Sequence, residues 1–186
     1  YFDDYIYLDP QEEIRLTIRG AFPVFKYDQT NASIYGLDLS SQFMLTNSIF
    51  GTVKYSYLRG DDLEKDIPLV FMPPNSISGS LAFRAKRAIR ISSKTNLEDF
   101  EFELNNRYVF NQGHLLDNQD FVSPPPAYNL VGMKLSTNIT LPEYKFRFYI
   151  KVDNLLDVEY RDYLNRQRYF ADDTGRSIVF GINLKF

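Results

Sequence analysis

The chemistry open to this chain of 186 residues is narrow, because it has one histidine and no cysteine. The lack of cysteine removes disulfides, zinc–thiolate sites and thiol nucleophiles together. His114, beside Gly113, is the one candidate base for a Ser-His-Asp arrangement, and no G-x-S-x-G elbow accompanies it. A single loop histidine is ordinarily solvated, and that reading is preferred. Glu101 and Glu103 stand two apart, on one face of a strand, whereas glycoside hydrolysis needs two carboxylates facing each other across a cleft. A wet strand surface with Arg107 nearby accounts for them. Asp61, Asp62, Glu64 and Asp66 form an acidic loop after Gly60, but without the register of an EF-hand. It reads as a solvated loop. Arg161, Arg166 and Arg168 interleave with Tyr160, Tyr163 and Tyr169. Guanidinium forks beside aromatic faces suit an anionic ligand, so Arg161, Arg166, Arg168 and Tyr169 are the candidate ligand contacts. The competing reading, which weighs more, pairs the arginines internally with Asp162, Asp172 and Asp173. No enzyme site emerges, and no cofactor or metal is implied.

Composition narrows the partners. The formal net charge is −3 and the isoelectric point is near 5.2, which is not the basic footprint of a nucleic-acid binder. Aromatic residues reach 16%, all of them Tyr (14) and Phe (16), residues that favour strands and, for Tyr, membrane interfaces. No apolar run is long enough for a membrane-spanning helix. A strand-built membrane protein passes that test unseen, because its segments alternate and its mean hydropathy, here −0.32, stays low. The chain opens at Tyr1 with no leader pattern, and reads as a mature form or a fragment.

Period-2 alternation is the dominant signal. From Arg176 onward, Ile178, Phe180, Ile182, Leu184 and Phe186 share one face. Ser177, Gly181, Asn183 and Lys185 share the other, with Val179 the only apolar residue among them. From Tyr144 to Asp153, Phe146, Phe148, Ile150 and Val152 oppose Lys145, Arg147, Tyr149 and Lys151. The pattern recurs over 97–110, 48–58 and 76–84, less cleanly over 25–40 and 128–139, and at the end of a strand over 5–8. That makes about eight antiparallel strands. Short connections near 42–47, 85–95 and 140–144 alternate with long polar ones near 9–22, 59–74, 111–127 and 154–175. An up-and-down membrane barrel alternates in this way. A soluble β-sandwich also alternates in hydropathy. The balance tilts to the barrel because charges crowd one face while the other is nearly free of them.

The end of the chain carries a family resemblance. Asp153-Asn154-Leu155-Leu156-Asp157 followed by Tyr160 resembles the N-L-F-D-x-x-Y stretch of TonB-dependent outer-membrane receptors, with Leu156 in place of Phe. Thr174-Gly175-Arg176 resembles the G-R that opens their last strand. Ala32 to Asp38 resembles A-x-x-x-G-x-E, with Asp38 for Glu, and Pro68 to Asn75 resembles the P-x-x-P approach to a barrel strand. The resemblance implies an all-β, antiparallel part of a large transmembrane barrel of about twenty-two strands with a plug inside. Residues 1–186 would be its C-terminal portion, without the plug. The whole receptor would take up a scarce ligand such as an iron–siderophore complex across the outer membrane. Its implied partners are the TonB system, reached through the missing N-terminal part, the barrel-assembly machinery, outer-membrane lipid and a small ligand. Phe186, with Ile182 and Leu184 on its face, resembles the terminal signal read by that machinery. A soluble sandwich binding module and a small complete barrel are the alternatives.

Overall fold

The computed structural model describes residues 1–85, 87–92, 95–141 and 144–185. They form one antiparallel sheet. Its strands are β1 (Phe2–Thr17), β2 (Gly20–Thr46), β3 (Ile49–Asp62), β4 (Ile67–Pro68), β5 (Ser76–Arg84), β6 (Ile89–Ser92), β7 (Thr95–Val109), β8 (Tyr128–Thr140), β9 (Lys145–Asp153) and β10 (Ser177–Lys185). Eight run in the order β1-β2-β3-β5-β7-β8-β9-β10, each bonded to its neighbour in sequence, while β4 and β6 are short additions on β3 and β7. β1 and β10 do not touch, so these strands do not close on themselves. One open edge is β10. The other includes residues 33–46 of β2, because the β1 ladder stops at Phe2↔Ala32.

Several expectations change. The short connection near 42–47 is strand as far as Thr46, and the one near 85–95 carries β6. The long polar connection near 9–22 is strand instead: β1 and β2 pair as far as Thr17↔Gly20, leaving a two-residue turn at Ile18-Arg19. This hairpin projects well past its neighbours, and Gly20 supplies the left-handed backbone (φ 130°) that closes it. The small closed barrel is excluded for these strands by the missing β1–β10 contact. The sandwich fails as well, because there is a single sheet with no second layer.

Register explains why the two faces differ. One row across the sheet reads Phe43, Gly51, Leu81, Leu104, Met133, Val152, Ile178. The next row on that face reads Ile49, Phe83, Phe102, Leu135, Ile150, Phe180. The opposite face carries Ser40, Lys54, Ser78 and Arg107 in one row and Arg84, Glu101, Ser136 and Tyr149 in another, with Arg84 and Glu101 ion-paired at 2.6 Å. Leu97 and Phe102 share the apolar face although their numbers differ in parity. A bulge between Glu98 and Glu101, with Asp99 at φ 51°, resets the phase of β7. Several glycines within the strands are filled in by their partners. A side chain on Gly51 would collide with the Phe43 ring, and one on Gly181 with the Tyr149 ring.

Among the described residues no second layer covers the apolar face. Leu39 (55%), Phe180 (67%) and Ile182 (69%) stand open along it. The small buried cluster of Ala32, Leu69 and Met72 lies instead where the β3–β5 connection folds back over Gly60. A continuous apolar sheet face without a covering layer is stable only against another apolar phase. In hydrocarbon, Ile150→Arg places a guanidinium on that face, at a cost of roughly 2–4 kcal/mol at the bilayer midplane. Lys151→Arg, on the opposite face, is expected to be neutral. Heat-modified gel mobility after refolding into lipid vesicles reads both, and equal folding of the two variants would contradict the assignment of faces.

Candidate functional site

The long connections gather at one end of the sheet and pack on each other. The foot of the β9–β10 connection is built by the residues that carried the resemblance. Asn154, buried and at φ 49°, clasps a turn: its amide donates to the Val158 carbonyl (2.9 Å) and its Oδ1 accepts from the Val158 N–H (2.9 Å). The Asp157 carboxylate accepts the Arg176 N–H (2.7 Å), and a side chain on Gly175 would press on that same oxygen. Arg176 Nε returns a bond to the Leu155 carbonyl (2.9 Å). The motif residues therefore tie the end of β9 to the start of β10, which is a structural task.

Above this foot the connection folds into a compact unit. Tyr128 of β8 stacks on Tyr160 (4.6 Å between centroids) and donates to Asp162 (2.7 Å). Asp173 accepts from the Asp162 N–H and the Asn165 amide, both at 2.7 Å. Asn165 then caps a 3-10 turn, Arg166–Tyr169, by accepting from the Gln167 N–H.

The three candidate arginines have different surroundings. Arg161 is exposed; it pairs with Asp172 (2.6 Å) and donates to the Arg168 carbonyl (2.8 Å). Arg168 is 1% exposed and is ion-paired to Asp120 of the β7–β8 connection. Its guanidinium lies over the rings of Tyr163 (4.8 Å) and Tyr169 (4.6 Å). Tyr169 donates to the same Asp120 (2.6 Å). Arg166 is exposed and has no carboxylate partner among the described residues; its guanidinium lies over Phe25 (5.3 Å) and Phe71 (5.5 Å). Internal pairing thus holds for Arg161 with Asp172. Arg168 takes Asp120 instead of an acid of its own loop. Burial and these bonds make Arg168 and Tyr169 supports of the loop surface, while Arg166 lies on it.

Sequence reasoning missed the residues that join the loops. Phe25 from β2, Phe71 from the β3–β5 connection and Phe121 from the β7–β8 connection meet one another and Tyr163 and Tyr169 at centroid distances of 5.3–6.1 Å. Large aromatic residues stranded in polar connections were the available signal. Gln112 and Gln119 add bonds of 2.7 Å to the Met72 and Pro68 carbonyls. His114 is not free in solvent: its Nε2 is 2.7 Å from Asp61. Asp62 accepts from Thr30 (2.6 Å) and two backbone N–H groups, so the acidic loop organises its own turn. Among the described residues no group of three or more His, Cys, Asp or Glu is placed to hold a metal. Ile182 and Leu184 lie exposed on the apolar face of β10, and Phe186 falls outside the described residues.

Comparison with known proteins places this geometry. Residues 1–155 match the family described as TonB dependent receptor-like, beta-barrel, and the chain belongs to that family. Most of the motif that prompted the resemblance lies beyond the matched span. Among solved structures, the Copper transporter OprC superposes with a TM-score of 0.71 at 17% identity, over 97% of this chain and 26% of that one. That likeness is one of fold, and the chain spans about a quarter of that protein's length. No curated protein matches.

The buried Arg168–Asp120 contact yields two expectations. Asp120→Ala strands a buried guanidinium, a loss of about 3–5 kcal/mol, whereas Asp172→Ala breaks an exposed pair worth about 0–1 kcal/mol. Protease cleavage within 154–176 should accelerate in the first variant alone, and equal rates would deny Asp120 its role. Burial pushes the Tyr163 phenol up to about 12 from its ordinary 10, and burial with the Asp120 bond raises Tyr169. Folded phenols that hold their protons more tightly than unfolded ones contribute stability that is present below pH 10 and lost as pH rises toward 12. Loop proteolysis should therefore increase between those values, alongside phenolate absorbance.

Proposed function

We propose that this chain is the C-terminal part of the barrel domain of a TonB-dependent outer-membrane receptor that takes up a scarce chelate such as an iron–siderophore complex. The observation that carries the reading is the open antiparallel sheet of this family, with one nearly charge-free uncovered face and one polar face. In the membrane the first face meets lipid and the second lines the lumen. The open edges pair with strands from the rest of the receptor, which also supplies the plug and the contact with TonB. The short turns face the periplasm and the long connections face outward.

On that outward surface Arg166 is the ligand contact, with Arg161 beside it and Arg168 and Tyr169 as support. A guanidinium backed by two rings recognises an anionic chelate through forked hydrogen bonds. Copper, the metal in the name of OprC, favours grouped imidazole or sulfur ligands instead. Phe186, with Ile182 and Leu184, serves the barrel-assembly machinery.

Cells making the full receptor test the reading. Arg166→Ala should weaken binding of a ferric catecholate or hydroxamate chelate by roughly 10- to 100-fold, the loss expected for a charge-assisted bond, with surface levels unchanged. Uptake should vanish without TonB. Deleting Phe186 should lower surface levels without altering synthesis. Unaltered chelate binding by Arg166→Ala would remove Arg166 from the ligand site, and TonB-independent uptake would overturn the receptor assignment.

A further inference from the structure

Gly79 differs from the other glycines inside the strands. Side chains placed on Gly36, Gly51, Gly132 and Gly181 would run into the residue across the ladder, and one on Gly60 into Met72 and Leu69. The partner's atoms stand in for the missing side chain. At Gly79 the nearest atom is the Thr52 carbonyl at 3.6 Å. The result is a groove of about 430 Å³ on the apolar face, floored by Gly79 and walled by Phe43, Val53, Ile77, Leu81 and Leu104. Its floor lies on β3, β5 and β7, inside the sheet, and Phe43 of β2 forms the wall nearest an open edge.

Its rim breaks the apolar pattern once. Asn106, paired in register with Gly79, donates to Asn129 (2.8 Å), and both amides are exposed on a face that is mostly apolar. Asn129 is one pair nearer the long-loop end, opposite Tyr108, whose ring packs edge-on against Phe110 (4.8 Å). The Asn129 amide keeps N–H donors beyond the bond within the pair. Polar donors thus stand beside the groove floor and one row nearer the long loops, and the walls Phe43, Leu81 and Leu104 lie one row toward the short-turn end. That gradient is the gradient of a lipid.

We infer that the Gly79 groove is a seat for one acyl lipid of the surrounding leaflet: its chain lies over Gly79 and its ester or amide carbonyl accepts from the Asn106–Asn129 pair. The inference rests on the membrane reading above. A second copy of the chain would need a protruding complement to enter the groove, and the rows flanking it present only flat alternation of strand side chains. A lipid chain needs no such complement.

The full receptor, reconstituted in phosphatidylcholine vesicles carrying a photoactivatable acyl chain, tests this by mapping adducts. The wild type should concentrate them on 77–81 and 104–106 relative to 178–184, which lies on the same face. Gly79→Leu fills the groove where the backbone has room for a side chain, so assembly should persist while adducts at 77–81 fall roughly tenfold, equivalent to about two buried CH₂ groups lost from the lipid contact. Asn106→Val leaves the groove open and should reduce the same adducts by releasing the carbonyl, which gives a second reading should Gly79→Leu fail to assemble. Adducts spread evenly over the apolar face, adducts unchanged in both variants, or cross-links there to another polypeptide would overturn the lipid seat. Adducts absent from the whole face, with a monodisperse protein in detergent-free buffer, would overturn the membrane reading itself.

Discussion

An antiparallel sheet satisfies its backbone within its own plane, and here no second layer lies on either face. Everything else follows from that. A soluble β-protein hides its apolar face against another sheet or a helix, and gains its core in doing so. This chain leaves Phe180, Ile182 and Leu39 bare, and its buried residues cluster at the long-connection end. The two faces must therefore meet two different media. The register keeps them separate over row after row, and the bulge at Asp99 shows how strictly: one extra residue restores the phase of β7 instead of turning it over.

The loops follow a different principle. They cannot draw on a layered core, so they are held by polar groups placed among aromatic rings. The Arg168–Asp120 pair is the clearest case. The pair spans two connections and is shielded by Tyr163 and Tyr169, and Asp120 also accepts the Tyr169 phenol. A buried ion pair of this kind contributes little net stability, but it is costly to break, so it specifies one arrangement of the loops. Phe25 and Phe71 extend the same packing to the projecting hairpin and the β3–β5 connection, and Arg166 rests on top of them. The exposed cation is positioned by the buried one's surroundings.

The motif residues deserve a structural reading first. Asn154 tolerates the left-handed backbone and bonds across its own turn, Asp157 receives the Arg176 N–H, and Gly175 leaves room for that carboxylate. A resemblance carried by such residues reports how two strands are joined. It does not report a ligand.

Alternation alone determined the strand content and which residues share a face, because a strand's side-chain period of two is local and survives without any knowledge of neighbours. The shared face of Phe146, Phe148 and Ile150, and that of Phe180 and Ile182, were legible in that sense; their pairing across β9 and β10 was not. The hairpin at 9–22 was not, since Asp9, Glu12, Glu13 and Arg15 are poor strand formers and pair only because β2 lies alongside. Nor could spacing show that Arg168 pairs with Asp120, 48 residues away, or that Arg166, two positions before it, stays exposed. Both arginines sit in one 3-10 turn with the same local composition. Which of them is buried depends on where Phe25, Phe71 and Phe121 arrive from other strands, and contacts between distant segments are created only when the sheet brings its connections to one end.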